Sequence, residues 1–117
     1  MLDEESIRYK ILDHISWVIN NEEVILLDNK RGIFFGLDEV ASRIWILISE
    51  GKMVREIIDT LMEEYDVEIS RLESDVKNLI DELILNNFIK SDGFNKDLKE
   101  VPHPLQVGDE FLLYAIE

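Results

Sequence analysis

Cysteine is absent from the 117-residue chain, which removes disulfide bonds, thiolate metal sites and cysteine nucleophiles together. No redox compartment follows from this, and a reducing cytoplasm is compatible with it. Long apolar runs are missing as well. No stretch longer than eight residues avoids Asp, Glu, Lys and Arg, whereas a membrane-spanning helix needs ~20 apolar residues. The N-terminus, Met1-Leu2-Asp3-Glu4-Glu5, is acidic where a secretory signal begins basic. The expected localisation is cytoplasmic. Basic residues are scarce, 12 against 26 acidic ones, which gives a formal charge of -14 and a pI near 4.4. Every third of the chain carries the acidic excess, so no basic half is concealed. Such a surface favours solubility and repels phosphate backbones and anionic lipid, which argues against nucleic acid and membrane as partners.

What is present describes one globular domain, 46% hydrophobic and 32% charged. A chain of this length buries roughly two-thirds of its unfolded surface, enough for a core without staples. The segments His14 to Ile19 and Glu23 to Asp28 are rich in β-branched and aromatic residues, and Asn20-Asn21-Glu22 supplies turn chemistry between them. Asp28-Asn29-Lys30 turns the chain again into Arg31-Gly32-Ile33-Phe34-Phe35-Gly36-Leu37, which completes a three-stranded meander. The period then changes. Asp38 is placed to cap a helix carrying Val40, Ala41, Ile44, Trp45, Leu47 and Ile48, with a stop at Gly51. Val54, Ile57, Ile58, Leu61, Met62 and Tyr65 repeat the pattern. Ser70 with Glu73 reads as a capping box for a third helix with Leu72, Val76, Leu79, Ile80, Leu83 and Ile84 on its apolar face, ending near Asn86-Asn87. Phe88-Ile89-Lys90 could add a short strand. From Phe94 to Gly108 the chain carries both prolines, Pro102 and Pro104, with little periodicity. It then finishes on the apolar Phe111-Leu112-Leu113-Tyr114-Ala115-Ile116.

Catalytic signatures are lacking. There is no phosphate loop, nucleophile elbow or dinucleotide fingerprint. His14 and His103 lie in separate regions and make no metal pair. Glu22-Glu23 and Glu63-Glu64 read as solvated turns or faces. Neither enzyme activity nor a cofactor is expected. Three helices with a hairpin also suggest a winged helix, whose third helix would enter a DNA groove. That helix here carries Glu73, Asp75, Asp81 and Glu82 against Arg71 and Lys77, the wrong sign for phosphate. A transcriptional regulator is therefore the weaker alternative. The stronger reading is a groove beside the third strand, where an extended peptide adds a strand and seats alternate side chains. For any single apolar residue of that groove, a plain core role is the competing explanation.

The run Leu37-Asp38, Ala41, Ile44-Trp45, Leu47-Ile48, Gly51, Val54, Ile57, Leu61, Tyr65, Asp75-Val76, Leu79, Leu83 and Asn87-Phe88-Ile89 resembles the PqqD family over about residues 14–91. These are RiPP recognition elements, which bind leader peptides of ribosomally made, post-translationally modified peptides. The resemblance implies an α+β, winged-helix-like fold, a three-stranded antiparallel sheet packed on three helices, here with a C-terminal extension. It also implies a leader peptide lying as an added strand between the third strand and the third helix. Carried onto this chain, the strand wall is Arg31, Gly32, Ile33, Phe34 and Phe35, and the helix wall Leu72, Asp75, Val76, Leu79 and Leu83. Asp38 stands where many relatives have asparagine, and both residues cap helices. Free-standing members of this size resemble lasso-peptide leader-binding proteins, which deliver precursor to a separate leader peptidase. Others serve different maturation enzymes.

The expected organisation is a leader-binding domain over residues 1–93, followed by a linker and apolar tail over 94–117. The expected function is a non-catalytic adaptor that presents a precursor to a modifying enzyme or leader peptidase. The tail departs from the family pattern. Its Val101 to Phe111 stretch loosely resembles the proline, leucine, glycine and aromatic spacing of lasso leaders. It could occupy the groove of its own chain or, by exchange, hold a homodimer together; the stronger competing readings are a linker to a following enzyme domain and a tail that packs elsewhere on the domain.

Overall fold

The protein is described from a computed structural model covering residues 4–92 and 113–116. A 3-10 turn at Glu4–Ser6 leads into β1 (Tyr9–Ile11), β2 (Ile15–Asn20), β3 (Glu23–Asp28) and β4 (Ile33–Leu37). The helices α1 (Glu39–Ser49), α2 (Val54–Glu64) and α3 (Ile69–Leu85) follow, then β5 (Ile89–Ser91) and β6 (Leu113–Ile116). The fold is the expected α+β meander on three helices. Its sheet has the order β2-β3-β4-β6, so the meander gains a fourth strand from the C-terminal segment. The prolines and the 101–111 stretch lie outside the described residues.

The meander forms where the β-branched runs are interrupted by residues that accept unusual backbone angles. Asn21 and Glu22 both adopt positive φ, 55° and 70°. That is the backbone of a tight hairpin turn matching the strand twist, and it sets Asn20 opposite Glu23. The second turn places the third strand two residues later than its sequence suggests. The Asp28 carboxylate accepts the backbone N–H groups of Lys30 and Arg31, each at 3.0 Å, and Gly32 reverses the chain at φ 70°. Arg31 and Gly32 therefore belong to the turn, and pairing begins at Ile33 opposite Asp28.

Helix starts follow their caps, with one correction. The Asp38 carboxylate accepts from the Ala41 N–H at 2.9 Å, as a capping residue should. Glu56 accepts from the Met53 N–H at 2.8 Å and closes the start of α2. The Ser70 and Glu73 box does not form. Glu68 is the N-cap of α3, and Ser70 already lies inside the helix. Gly51, at φ 82°, and Asn87, at φ 63°, supply the left-handed residues that end α1 and α3. The short strand after α3 pairs with β1, Tyr9 opposite Ser91.

The core fills the space between the sheet and the helices. Val24, Leu26 and Leu37 from the sheet meet Ala41, Ile44, Trp45, Ile57, Leu61, Val76, Leu79 and Leu83, all fully buried. Trp45 packs edge-on against Trp17 with ring centroids 6.1 Å apart. Ser42 ties helix to sheet inside this core. Its Oγ accepts from the Val24 N–H at 2.8 Å and donates to the Leu37 carbonyl at 3.1 Å. Trp45→Ala is expected to cost about 3–5 kcal/mol through lost burial and the cavity left behind. Ser42→Ala should cost about 1–3 kcal/mol, because it orphans a buried N–H. Urea denaturation of both variants checks these values, and wild-type stability in either would contradict the assigned role.

Candidate functional site

The functional candidate is the edge of β4 away from β3. One side of β4 is committed to the meander, with Asp28 opposite Ile33, Leu27 opposite Phe34, Leu26 opposite Phe35 and Ile25 opposite Gly36. The other side pairs antiparallel with β6, where Phe34 meets Ile116, Phe35 meets Ala115, Gly36 meets Tyr114 and Leu37 meets Leu113. That register shows that the edge accepts an added strand along four consecutive residues.

Alternation divides the side chains of β4. Phe35 points to the helices and packs edge-on against Phe88, with centroids 5.1 Å apart. Phe34 points to the opposite face and is exposed. Beside it on that face lie Leu27 and Ile25 of β3, each half-buried. At the start of the strand, Arg31 bridges to the end of α3. Its Nε donates to Asp28 Oδ2 at 2.7 Å and its guanidinium donates to the Asn86 carbonyl at 3.1 Å. The same guanidinium lies 5.7 Å from the Phe35 ring centre and 6.0 Å from that of Phe88. Arg31 is thus a brace between the two walls at one end of the groove.

The orientation of α3 decides which of its residues border that groove. Successive residues turn by about 100°, so Asp75, Asn78 and Glu82 share one flank of the buried stripe and Glu73, Lys77 and Ile80 the other. At the C-terminal end of α3 the Asn86 carbonyl receives Arg31 from the start of β4. Lys77 and Ile80 line a concavity with Ile7, Tyr9, Val54 and Ile58.

Of the ten residues expected at the site, the structure gathers Ile33, Phe34 and Phe35 on the accepting strand and Arg31 and Gly32 at its entrance. Asp75 is half-buried and forms an ion pair with Arg71 at 3.7 Å. Leu72, Val76, Leu79 and Leu83 are buried in the hydrophobic core. Asp75, Asn78 and Glu82 share the polar flank beside that buried stripe, and helical phase is the signal that groups them.

Asp28 holds the turn that positions β4. Its side chain is 2% exposed. Burial alone would raise its pKa, but the Arg31 side chain and the backbone N–H groups of Arg31 and Lys30 outweigh that and hold it below the ordinary 3.8. A carboxylate whose folded pKa is depressed stabilises the protein above its unfolded pKa and loses that contribution as the pH falls through the folded value.

The fold is a small α+β domain whose meander ends on β4, the strand that pairs with β6. The family profile described as Coenzyme PQQ synthesis protein D (PqqD) matches residues 23–89. The chain belongs to the PqqD family. Among solved structures it is similar to TbiB1 in complex with the TbiA(beta) leader peptide, at 36% identity and a TM-score of 0.66, covering 74% of this chain and 99% of that one. A second similar structure is lasso peptide synthetase B1 complexed with the leader peptide. It is 24% identical with a TM-score of 0.66, covers 71% of this chain and 98% of that one, and supports the fold. No curated protein matches the chain. Neither the profile nor these two structures supports a transcriptional regulator. Among the described residues no helix is long and apolar enough to cross a membrane.

Asp28→Asn removes the ion pair with Arg31 while keeping one acceptor for the turn. It is expected to cost about 1–3 kcal/mol at neutral pH, and the loss should shrink as the pH falls below the ordinary value of 3.8 toward the lower folded one, where the native carboxylate takes up its proton. Denaturant titrations of both proteins at pH 7 and pH 3 check this. A difference that persists undiminished at acid pH would contradict the ion-pair account.

Proposed function

We propose that the protein is a leader-peptide-binding adaptor, which takes the leader of a ribosomally made precursor as an antiparallel strand on the outer edge of β4. The carrying observation is that Phe34, Phe35, Gly36 and Leu37 have an edge geometry on which a strand pairs in register, as β6 does. Membership of the PqqD family supports the reading, as does the 36% identical TbiB1, whose solved complex holds a leader peptide. Main-chain hydrogen bonds along β4 supply affinity and direction, and alternate side chains of the incoming strand meet the α3 flank and the outer sheet face.

The adaptor performs no bond-breaking step in this reading. Its contribution is to hold the precursor by its leader so that the remainder is presented to a second protein, a modifying enzyme or a leader peptidase. Tethering of this kind converts the enzyme's encounter with its substrate into a local event at a raised effective concentration.

The TbiA(beta) leader peptide is a usable probe. In a strand added at one edge, every second N–H of the peptide points at β4 and the alternate ones point to solvent. A backbone N-methyl scan of the leader, read by calorimetry, should therefore weaken binding on the order of 10-fold or more at alternate positions and little between them. Amide shifts in the protein should concentrate on Ile33 to Leu37 and on Asp75, Asn78 and Glu82. A scan with no alternation, shifts on another face, or no binding would contradict the proposed site.

A further inference from the structure

Taking the β4 edge as the leader site, we infer that the C-terminal segment Leu113–Ile116 is an internal competitor for it, an intramolecular strand that occludes the edge until an incoming peptide displaces it. The positions are the same ones. Phe34, Phe35, Gly36 and Leu37, which the leader would pair with, are those opposite Ile116, Ala115, Tyr114 and Leu113. An added strand needs the backbone groups on that side of β4, and a strand edge has only one such set. The two occupants therefore exclude each other.

The occluding strand is additional to the binding domain. The family profile ends at Ile89, and 74% of this chain accounts for 99% of the TbiB1 chain, which leaves about a quarter of this chain without a counterpart there. Among the described side chains the buried core runs from Ile15 to Ile89. Reach is sufficient for both states. The twenty residues between Asp92 and Leu113 span at most roughly 65–70 Å, well beyond the 38 Å long axis of the molecule.

The expected consequence follows from competition within one chain. A short strand binds weakly in trans, but tethering raises its local concentration to about the millimolar range. Apparent affinity for an incoming strand then falls by the fraction of molecules whose edge is open. The occlusion keeps an acidic, soluble chain from pairing edge to edge with other strands and sets a threshold that only a better-matched peptide passes.

Three proteins test this: the full chain, the full chain carrying Tyr114→Pro and Ala115→Pro together, and a chain ending at Asp92. Adjacent N–H groups of an edge strand point in opposite directions, so one of the two prolines must remove a bond to β4. Circular dichroism and urea midpoints check that the altered chains stay folded. Hydrogen exchange should show protected amides within Phe34 to Leu37 in the full chain and faster exchange there in both altered chains. A fluorescent peptide of residues 109–117 should bind both altered chains, and bind the full chain on the order of 10-fold more weakly. The TbiA(beta) leader should show the same order.

Equal exchange, equal affinity for the 109–117 peptide across the three proteins, or failure of that peptide to bind any of them would overturn the inference. So would protection at Phe34 to Leu37 that is lost on dilution with dissociation of a dimer, since the strand would then come from a second copy. Failure of the leader alone to bind, with the peptide and exchange results as expected, would instead overturn the leader reading and leave the occluding strand in place.

Discussion

A β-strand has two rows of backbone donors and acceptors, and β4 can satisfy only one of them within the meander. Everything distinctive about this protein follows from the other row. The hairpin with β3 fixes the register of one side, Ser42 ties the end of β4 to α1 through the Leu37 carbonyl, and Arg31 ties its entrance to the end of α3 through the Asn86 carbonyl. The strand is therefore tied at both ends, and its outer edge is the one that β6 pairs with. In the proposed function an incoming peptide takes that edge, and main-chain pairing comes first and side chains second.

The turn before β4 shows how much depends on one carboxylate. The Asp28 side chain is buried, where an unpaired charge would be costly, and it is tolerated because three donors converge on it. Two are the backbone N–H groups that make the turn, and the third is Arg31 Nε. Through Arg31 the same charge orients a guanidinium over Phe35 and Phe88. A local sequence, Asp-Asn-Lys-Arg-Gly, thereby sets the spacing of two elements, β4 and the end of α3, that are more than fifty residues apart in the chain.

Much of the fold was legible because its signals are local. The positive-φ turn at Asn21-Glu22, the Asp38 cap, the Gly51 stop and the Trp45 stripe are each written in a few adjacent residues, and the resemblance to the PqqD family supplied their order in space. The start of β4 was misjudged because the side chain that draws Arg31 and Gly32 into the turn, Asp28, acts through a buried bond that sequence does not display. The Ser70 and Glu73 box has the right pattern in the wrong phase, since α3 begins two residues earlier, behind Glu68. The apolar stripe of the helix wall was legible, and Leu72, Val76, Leu79 and Leu83 are buried in the core. The apolar end of the chain was visible as an oddity, and its pairing with β4 is a long-range contact that composition could not locate.

The central claim is that one backbone edge serves both an added peptide and the chain's own terminus. The most direct test is a filtered nuclear Overhauser measurement on the isotope-labelled full chain, made before and after saturation with an unlabelled leader peptide. The account predicts cross-strand contacts between Phe34 to Leu37 and Leu113 to Ile116 in the free protein, replaced by contacts between the same four residues of β4 and the peptide in the complex. Persistence of the β4 to β6 contacts while the peptide binds elsewhere would contradict it.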